Sequence, residues 1–73
     1  MKTTGEKIRA CREKRGLTQA ELGKKLDVTD ACIRSCELNR RSPTLNTLSK
    51  IANALEVHPI TLLPDWFLYG GYE

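Results

Sequence analysis

Two helix-start signals lie eleven residues apart in this chain, and their spacing limits what can fold between them. Thr18-Gln19-Ala20-Glu21 fits a capping box, in which the threonine hydroxyl and the glutamate three residues later satisfy each other's free backbone amides. Thr29, just before a new apolar series, is a second good N-cap. We therefore expect two short helices, over about 18–26 and 29–38, joined by a three-residue turn.

The first helix of the chain is expected over about 4–15. Thr4 is placed to cap it, and Gly16 is placed to end it, because glycine adopts the left-handed conformation at no steric cost. Ile8 and Cys11 face inward on this helix, whereas its basic side chains lie mostly outward. These basic side chains are Arg9, Arg12, Lys14 and Arg15.

Two further helices complete the predicted fold. Thr44 caps a helix over about 44–55, in which apolar residues recur at i, i+3 and i+4 and form a wide buried stripe. The members of this stripe are Leu45, Leu48, Ile51, Ala52 and Leu55. Pro59 suits the first turn of a last short helix over 59–63, where its missing amide hydrogen has no partner. No alternation of apolar and polar residues is long enough for a sheet, so the predicted fold class is all-α, a compact bundle of about five short helices.

The length of the chain, 73 residues, allows one domain, because so short a chain buries only about 60% of its unfolded surface. We expect this domain over 1–64 and an aromatic C-terminal tail over 65–73. All four aromatic residues lie in the tail: Trp66, Phe67, Tyr69 and Tyr72. Aromatic residues are enriched at interface anchors, so the tail is a candidate dimer contact. The alternative is that it folds back over its own core.

The positive charge is concentrated in the first part of the chain. Residues 1–41 hold eleven basic and six acidic side chains, a net charge of +5. Residues 42–73 have a net charge of −2, which brings the whole chain to +3. This asymmetry suits a polyanion bound on one face, although many small domains are equally basic without binding nucleic acid.

Several function classes are not expected. No apolar run is long enough to cross a membrane, and the charged sequence after Met1 argues against a secretory signal, so we expect a cytoplasmic chain.

The cysteines, Cys11, Cys32 and Cys36, form no CxxC pair, and the single histidine, His58, is distant, so no metal or cofactor site is expected. No nucleophile stands at motif spacing from a base, and so short a bundle offers little volume for a small-molecule substrate. We therefore do not expect an enzyme.

Two short helices joined by a three-residue turn have the dimensions of a helix-turn-helix, whose second helix enters the major groove of DNA. The chain also resembles the Cro/cI repressor family, also called the xenobiotic-response-element family, over roughly residues 5–63. The segments that carry the resemblance are Gly5-Glu6-Lys7-Ile8-Arg9, Arg15-Gly16-Leu17-Thr18-Gln19-Ala20-Glu21-Leu22, Ile33-Arg34, Glu37-Leu38-Asn39-Arg40-Arg41-Ser42-Pro43 and Leu55-Glu56-Val57. The resemblance implies a lambda-repressor-like domain of a sequence-specific transcriptional regulator, expected to repress. Such a regulator binds double-stranded DNA and reads a palindromic operator as a homodimer.

The resemblance also implies which residues contact DNA. At the start of the second helix these are Thr18 and Gln19, and Gln19 matches a glutamine that contacts a phosphate and braces the third helix, the recognition helix. On the recognition helix they are Thr29, Asp30, Ala31, Arg34 and Ser35, and in the following loop they are Asn39, Arg40 and Arg41. Arg34 is the strongest candidate for base reading, because a guanidinium can bond guanine O6 and N7 together. A solvated arginine is the alternative.

Arg12 and Glu37 match a family pair that forms a partly buried salt bridge between the first helix and the end of the recognition helix. Elsewhere the chain departs from the family. Asp30 and Ala31 replace the glutamines of many relatives, and Asp30 is as suitable for a helix cap as for a base contact. Asp27 replaces the usual turn glycine and must adopt the left-handed conformation at some strain.

Two other hypotheses follow from the sequence. The first is a protein-interaction module, such as an antitoxin-like partner, or the DNA-binding fragment of a larger regulator. The second is a thiol sensor that uses Cys32, which is expected to be the exposed cysteine, whereas Cys11 and Cys36 are expected to act as small core residues.

Overall fold

Five α-helices and one 3₁₀ turn follow one another in residues 2–69, the part of the chain that the computed structural model describes. Their bounds are Thr4–Lys14 (α1), Gln19–Leu26 (α2), Asp30–Glu37 (α3), Leu45–Leu55 (α4), Pro59–Leu62 (the 3₁₀ turn) and Asp65–Leu68 (α5). No strand occurs among these described residues, and the predicted all-α fold class is confirmed. Within the same range, every helix is too short or too polar to span a bilayer.

Threonine hydroxyls cap the first four helices, at Thr3, Thr18, Thr29 and Thr44. The capping box predicted at Thr18 is present, since its hydroxyl accepts from the Glu21 N–H at 3.0 Å and the Glu21 carboxylate accepts from the Thr18 N–H at 2.8 Å. The predicted cap of α1 was wrong. Thr3 rather than Thr4 caps this helix, because the glutamate that completes the box, Glu6, lies three residues after Thr3. In both boxes the threonine N–H lowers the pKa of the glutamate.

A residue in the left-handed conformation follows each of these four helices. These residues are Gly16, Asp27, Asn39 and Glu56, with φ between 59° and 71°. After α3, the Asn39 N–H donates to the Cys36 carbonyl at 3.2 Å and the Arg40 N–H donates to the Ser35 carbonyl at 2.9 Å, which is the Schellman arrangement. Such an end satisfies the last carbonyls and reverses the chain within a few residues. This is why three residues are enough to connect α2 to α3.

The core lies where α1, α2, α3, α4 and the 3₁₀ turn meet. Its buried residues are Ile8, Leu22, Ile33, Cys36, Leu48, Ile51, Ala52, Leu55 and Leu62. Two expectations were wrong. Leu45 is 77% exposed, because it is the first residue of α4 and lies outside the buried stripe. Arg12 does not lie outward but is buried at the contact between α1 and α3. Cys11 is half-buried and packs against the core.

The start of α1 is held against the end of α3. A Cβ atom at Gly5 would collide with the carbonyl oxygens of Cys36 and Glu37, so glycine permits the close approach of the two helices. The Gly5 N–H donates to Asn39 Oδ1 at 3.1 Å, and Asn39 Nδ2 donates to Thr3 Oγ1 at 2.9 Å. These contacts fix the C-terminal end of α3 relative to α1.

Asp65 connects α5 to the beginning of the chain. Its carboxylate accepts from the Lys2 N–H at 2.8 Å and pairs with Lys7 Nζ at 2.8 Å, while the Asp65 N–H donates to the Lys2 carbonyl at 3.0 Å. The hydrogen bond from Lys7 lowers the pKa of Asp65. The segment expected as a tail from residue 65 onward therefore starts with a short helix that is bonded to the N-terminal segment.

The left-handed conformation of Asp27 leads to a stability prediction. A residue with a Cβ atom adopts this conformation at a cost of about 1–2 kcal/mol, which glycine avoids, although glycine also loses more chain entropy on folding. We expect Asp27→Gly to raise the free energy of unfolding in urea by about 0.5–1 kcal/mol. The control is Lys25→Gly in the last turn of α2, where the backbone is helical, and it should lower the free energy of unfolding by up to about 1 kcal/mol. A loss of stability in Asp27→Gly would contradict the strain argument.

Candidate nucleic-acid interface

Helix α3 has one buried side and one exposed side. Its buried residues are Ile33, Cys36 and Glu37, and they anchor it to α1, α2 and α4. Its exposed residues are Asp30, Ala31 and Arg34, with Cys32 and Ser35 half-buried at the edges. The candidate contacts that the sequence places on this helix thus lie on or beside the side that faces away from the core.

The polar groups at the start of α3 are used within the helix. Thr29 Oγ1 accepts from the Cys32 N–H at 3.2 Å, and Asp30 Oδ1 accepts from the Ala31 N–H at 2.9 Å. Thr29 is the N-cap of α3, and Asp30, the first residue of the helix, satisfies one further amide of the first turn. Arg34 is exposed in the last turn of the helix, and a guanidinium brings five N–H donors to an external partner.

A buried carboxylate, Glu37, joins α1, α2 and α3. Its side chain is only 3% exposed and accepts two bonds from Arg12, from Nε at 2.6 Å and from Nη2 at 3.2 Å. Arg12 Nη1 also donates to the Leu17 carbonyl at 2.7 Å. Gln19 Nε2 donates to Glu37 Oε1 at 3.1 Å. The hydrogen bonds that Arg12 donates to Glu37 raise the pKa of Arg12, so the guanidinium keeps its charge.

The arrangement around Glu37 fixes how α3 is presented. The structure brings Arg12 and Glu37 together as the resemblance implies, and Gln19, in the first turn of α2, braces the recognition helix through Glu37 as the resemblance also implies. Thr18, at the cap before Gln19, is exposed, and its hydroxyl is engaged in the capping box. We call Arg12, Gln19 and Glu37 the Glu37 network.

The loop after α3 combines structural and exposed residues. Asn39, a candidate backbone contact, is exposed, and its Oδ1 accepts from the Gly5 N–H while one hydrogen of its Nδ2 is donated to Thr3. Arg40 and Arg41 are exposed at the edge of the recognition helix, and Arg41 Nη1 donates to Cys32 Sγ at 3.5 Å. Sequence reasoning missed the role of Gly5 in holding this loop, although a glycine in the first turn of a helix was a visible signal of close approach.

The aromatic candidates form a second surface feature. Trp66 and Phe67 on α5 are about half exposed and meet edge to face, with ring centroids 5.9 Å apart, and Tyr69 is more exposed. A groove of about 440 Å³ lies between α5 and the loop after α3, with Leu45 and Pro43 among its lining residues. We call this the aromatic groove. Tyr72, the fourth candidate, lies outside the described residues.

The remaining polar candidates have simple structural roles. His58 caps the 3₁₀ turn, where its Nδ1 accepts from the Ile60 N–H at 3.1 Å. Across residues 2–69, no group of three or more histidine, cysteine, aspartate or glutamate side chains comes together as a metal site requires. The exposed side of α3 with its flanking loop is therefore the candidate site with the strongest geometric support.

Comparison with known proteins identifies the family. A family model described as helix-turn-helix matches residues 8–62, which include α2, the turn and α3. The chain belongs to this helix-turn-helix family and is of the Cro/cI type, as the resemblance in its sequence indicated.

Two curated relatives come from Bacillus and one of its phages. The immunity repressor protein of Bacillus phage phi105 is 36% identical over 55 residues, which are 75% of this chain and 38% of that protein. An uncharacterized HTH-type transcriptional regulator of Bacillus subtilis, YqaE, is 36% identical over 52 residues, which are 71% of this chain and 45% of that protein. The chain spans less than half the length of the curated relatives it matches.

Solved structures support the same assignment. The P22 c2 repressor, whose crystal structure contains a synthetic operator, is 35% identical, with a TM-score of 0.81 over 86% of this chain and 96% of that chain. The lambda-repressor-like arrangement of the helices is thereby confirmed.

The Glu37 network leads to a second stability prediction. Removing one partner of a buried ion pair leaves the other charge without compensation, so we expect Arg12→Met to lower the free energy of unfolding by about 3 kcal/mol. The double variant Arg12→Met/Glu37→Leu should lose less than Arg12→Met, because no charge is then left buried. Urea titrations of both variants measure this difference.

The matched control is an exposed ion pair on the same helix, in which Arg9 Nε lies 3.2 Å from Glu13 Oε2. Arg9→Met should cost less than about 1 kcal/mol, since solvent screens an exposed pair. Equal losses in Arg9→Met and Arg12→Met would contradict the buried, structural role assigned to Arg12.

Proposed function

We propose that this chain is a DNA-binding transcriptional regulator that inserts α3 into the major groove of double-stranded DNA and acts as a repressor. The observation that carries the proposal is the exposed side of α3, which presents Ala31 and Arg34 on a helix fixed from behind by the Glu37 network. A rigid helix with a basic side chain and a methyl group on its outer side suits direct readout of base edges. In this proposal the chain, of bacterial or phage origin, acts by binding rather than by catalysis in the cytoplasm of a bacterial cell.

Each exposed residue of α3 favours a different contact. Arg34 suits guanine, because its guanidinium can donate to O6 and N7 together, and Ala31 suits the methyl group of thymine. The Asp30 carboxylate accepts from the Ala31 N–H, so it stabilises the start of the helix rather than reading a base. Thr29 and Ser35 flank these residues and are suited to phosphate or base contact through their hydroxyls.

Phosphate contacts supply the second part of the proposed interface. An amide nitrogen carries two hydrogens, and Gln19 uses one on Glu37, so the second is available for a phosphate oxygen. Arg40 and Arg41 stand exposed at the other edge of α3. Because each neutralised phosphate releases counterions, binding should weaken steeply as the salt concentration rises.

We further propose that the chain binds as a homodimer through the aromatic groove. One recognition helix contacts few base pairs, and a two-fold dimer doubles the contacts by placing α3 in successive major grooves. The half-exposed Trp66 and Phe67, together with the exposed Leu45, provide apolar anchors of the kind found at the centre of interfaces. The bonds of Asp65 to Lys2 and Lys7 hold these rings in place before association. If the groove instead binds another protein, the chain is an interaction module or the DNA-binding part of a larger regulator.

Selection of bound sequences from a random duplex pool at near-physiological salt tests the DNA-binding proposal. We expect enrichment of a palindrome whose half-sites lie about 10 base pairs apart, since this separation places both recognition helices on one side of the duplex. Arg34→Ala should relax one position in each half-site, at a cost of about 1–3 kcal/mol in binding free energy.

The control for this selection is Lys14→Ala, which also removes one positive charge. Lys14 is exposed on α1 beside Leu55 and Val57, so its loss should leave the selected motif unchanged. Absence of any enriched sequence, or equal effects of the two variants, would contradict base reading by Arg34.

Sedimentation equilibrium tests the dimer. We expect the wild-type chain to associate to twice the mass of one chain, and Trp66→Ser/Phe67→Ser to shift the equilibrium to the monomer, because both interface anchors are lost. Ile60→Ser is the control, since Ile60 is exposed on the 3₁₀ turn and does not line the aromatic groove. A wild-type monomer, or a dimer that survives the aromatic substitutions, would contradict the proposed interface.

A further inference from the structure

Two cysteines lie one helical turn apart on the recognition helix. Cys36 is buried in the core, and Cys32 is half-buried at the edge of the exposed side. Their i, i+4 spacing places both on the same side of α3, toward α4. The third cysteine, Cys11, lies on α1, where it packs against the core.

A small cavity leads to this pair. Its volume is about 110 Å³, and both Cys32 and Cys36 line it together with the polar side chains of Thr47 and Lys50. One water molecule takes about 30 Å³ of liquid volume, so a small hydroperoxide fits where a bulky reagent does not. The cavity therefore offers a reagent of this size a route to the half-buried Cys32, whereas Cys36 is only 3% exposed.

A positive charge stands beside the outer sulfur. Arg41 Nη1 donates to Cys32 Sγ at 3.5 Å, so a guanidinium lies against the outer sulfur. The inner thiol is different. Burial raises the pKa of the Cys36 thiol, and the neighbouring Cys32 acts in the same direction, so Cys36 is held as a neutral thiol.

We propose that Cys32 and Cys36 form a redox site that is oxidised by hydroperoxides to an intramolecular disulfide. The Cys32 thiolate attacks one peroxide oxygen, the O–O bond breaks, and hydrogen peroxide yields Cys32 sulfenic acid and hydroxide. The released hydroxide takes the Cys36 proton to form water, the Cys36 thiolate attacks the Cys32 sulfur, the S–O bond breaks, and hydroxide leaves. Both thiols are oxidised and one hydroperoxide is reduced.

The disulfide cannot form without changing α3. Side chains at i and i+4 of a helix have Cβ atoms about 5–6 Å apart, whereas a disulfide requires about 3.5–4.5 Å. Closing the bond draws together two turns of α3 and displaces Arg34, which lies between the two cysteines in sequence. Oxidation thereby releases DNA, a consequence that rests on the proposed function, whereas the disulfide itself does not.

Peptide mapping after oxidation tests the redox site. The reduced chain is treated with a small excess of hydrogen peroxide, alkylated with iodoacetamide and digested with trypsin, which cleaves after Arg34 and separates the two cysteines. Before alkylation, the oxidised chain should be lighter than the reduced chain by two hydrogen atoms. After digestion, peptides 26–34 and 35–40 should be joined by a disulfide. The thiols of this pair should be lost at least about tenfold faster than the Cys11 thiol.

Three variants make the result specific. Cys11→Ser should form the disulfide at the wild-type rate, and Cys32→Ser should lose rapid oxidation. Cys36→Ala should accumulate Cys32 sulfenic acid, which dimedone traps. If this buried substitution prevents folding, the Cys32→Ser variant still decides the question. Disulfides between chains, equal oxidation at Cys11, or overoxidation of Cys32 without a cross-link would overturn the proposal.

Binding to the duplex recovered by selection tests the consequence for function. The oxidised wild-type chain should bind at least about tenfold more weakly than the reduced chain, and dithiothreitol should restore its affinity. Cys32→Ser should not show this loss of affinity on oxidation. Unchanged affinity in the fully cross-linked chain would overturn the switch. Failure of the reduced chain to bind any duplex would instead count against the proposed function, because the mapped disulfide is measured without DNA.

Discussion

The hydrogen bonds that Glu37 accepts from Arg12 and Gln19 hold three helices together, and the rest of the structure depends on them. Helices α2 and α3 have eight residues each, whereas an isolated helix shorter than about 12–15 residues is marginal in water. Their stability must therefore come from caps and from packing. The Glu37 network supplies a directional contact in that packing, so it fixes the orientation of α3 as well as its stability.

The same contacts explain why a small domain can present a rigid binding surface. The C-terminal end of α3 is held from one side by Glu37 and from the other by Asn39, which bonds to Gly5 and Thr3 at the start of α1. The N-terminal segment also bonds to Asp65 on α5. One short segment thus links the proposed DNA-binding surface to the proposed dimer surface, and the angle between two recognition helices would depend on it.

The local signals in the sequence predicted most of the fold. The capping box at Thr18 and the N-cap at Thr29 located α2 and α3, because capping depends only on residues three positions apart. These local signals did not predict the exposure of Leu45 or the partners of the Asn39 side chain. The apolar spacing of α4 does not reveal where the core ends, so Leu45 was expected inside. The side chain of Asn39 is engaged by residues far away in sequence, a tertiary contact that no local pattern contains.

The most direct test of DNA binding by α3 is an NMR titration of the ¹⁵N-labelled chain with a short DNA duplex at low salt, where binding does not require a specific operator sequence. We expect the largest changes in amide shift at Thr29 and the first turns of α3 (residues 29–35), at Gln19 at the start of α2, and in the loop at Arg40 and Arg41. Changes centred on the aromatic groove, or no changes at all, would contradict the claim that α3 is the DNA-binding surface.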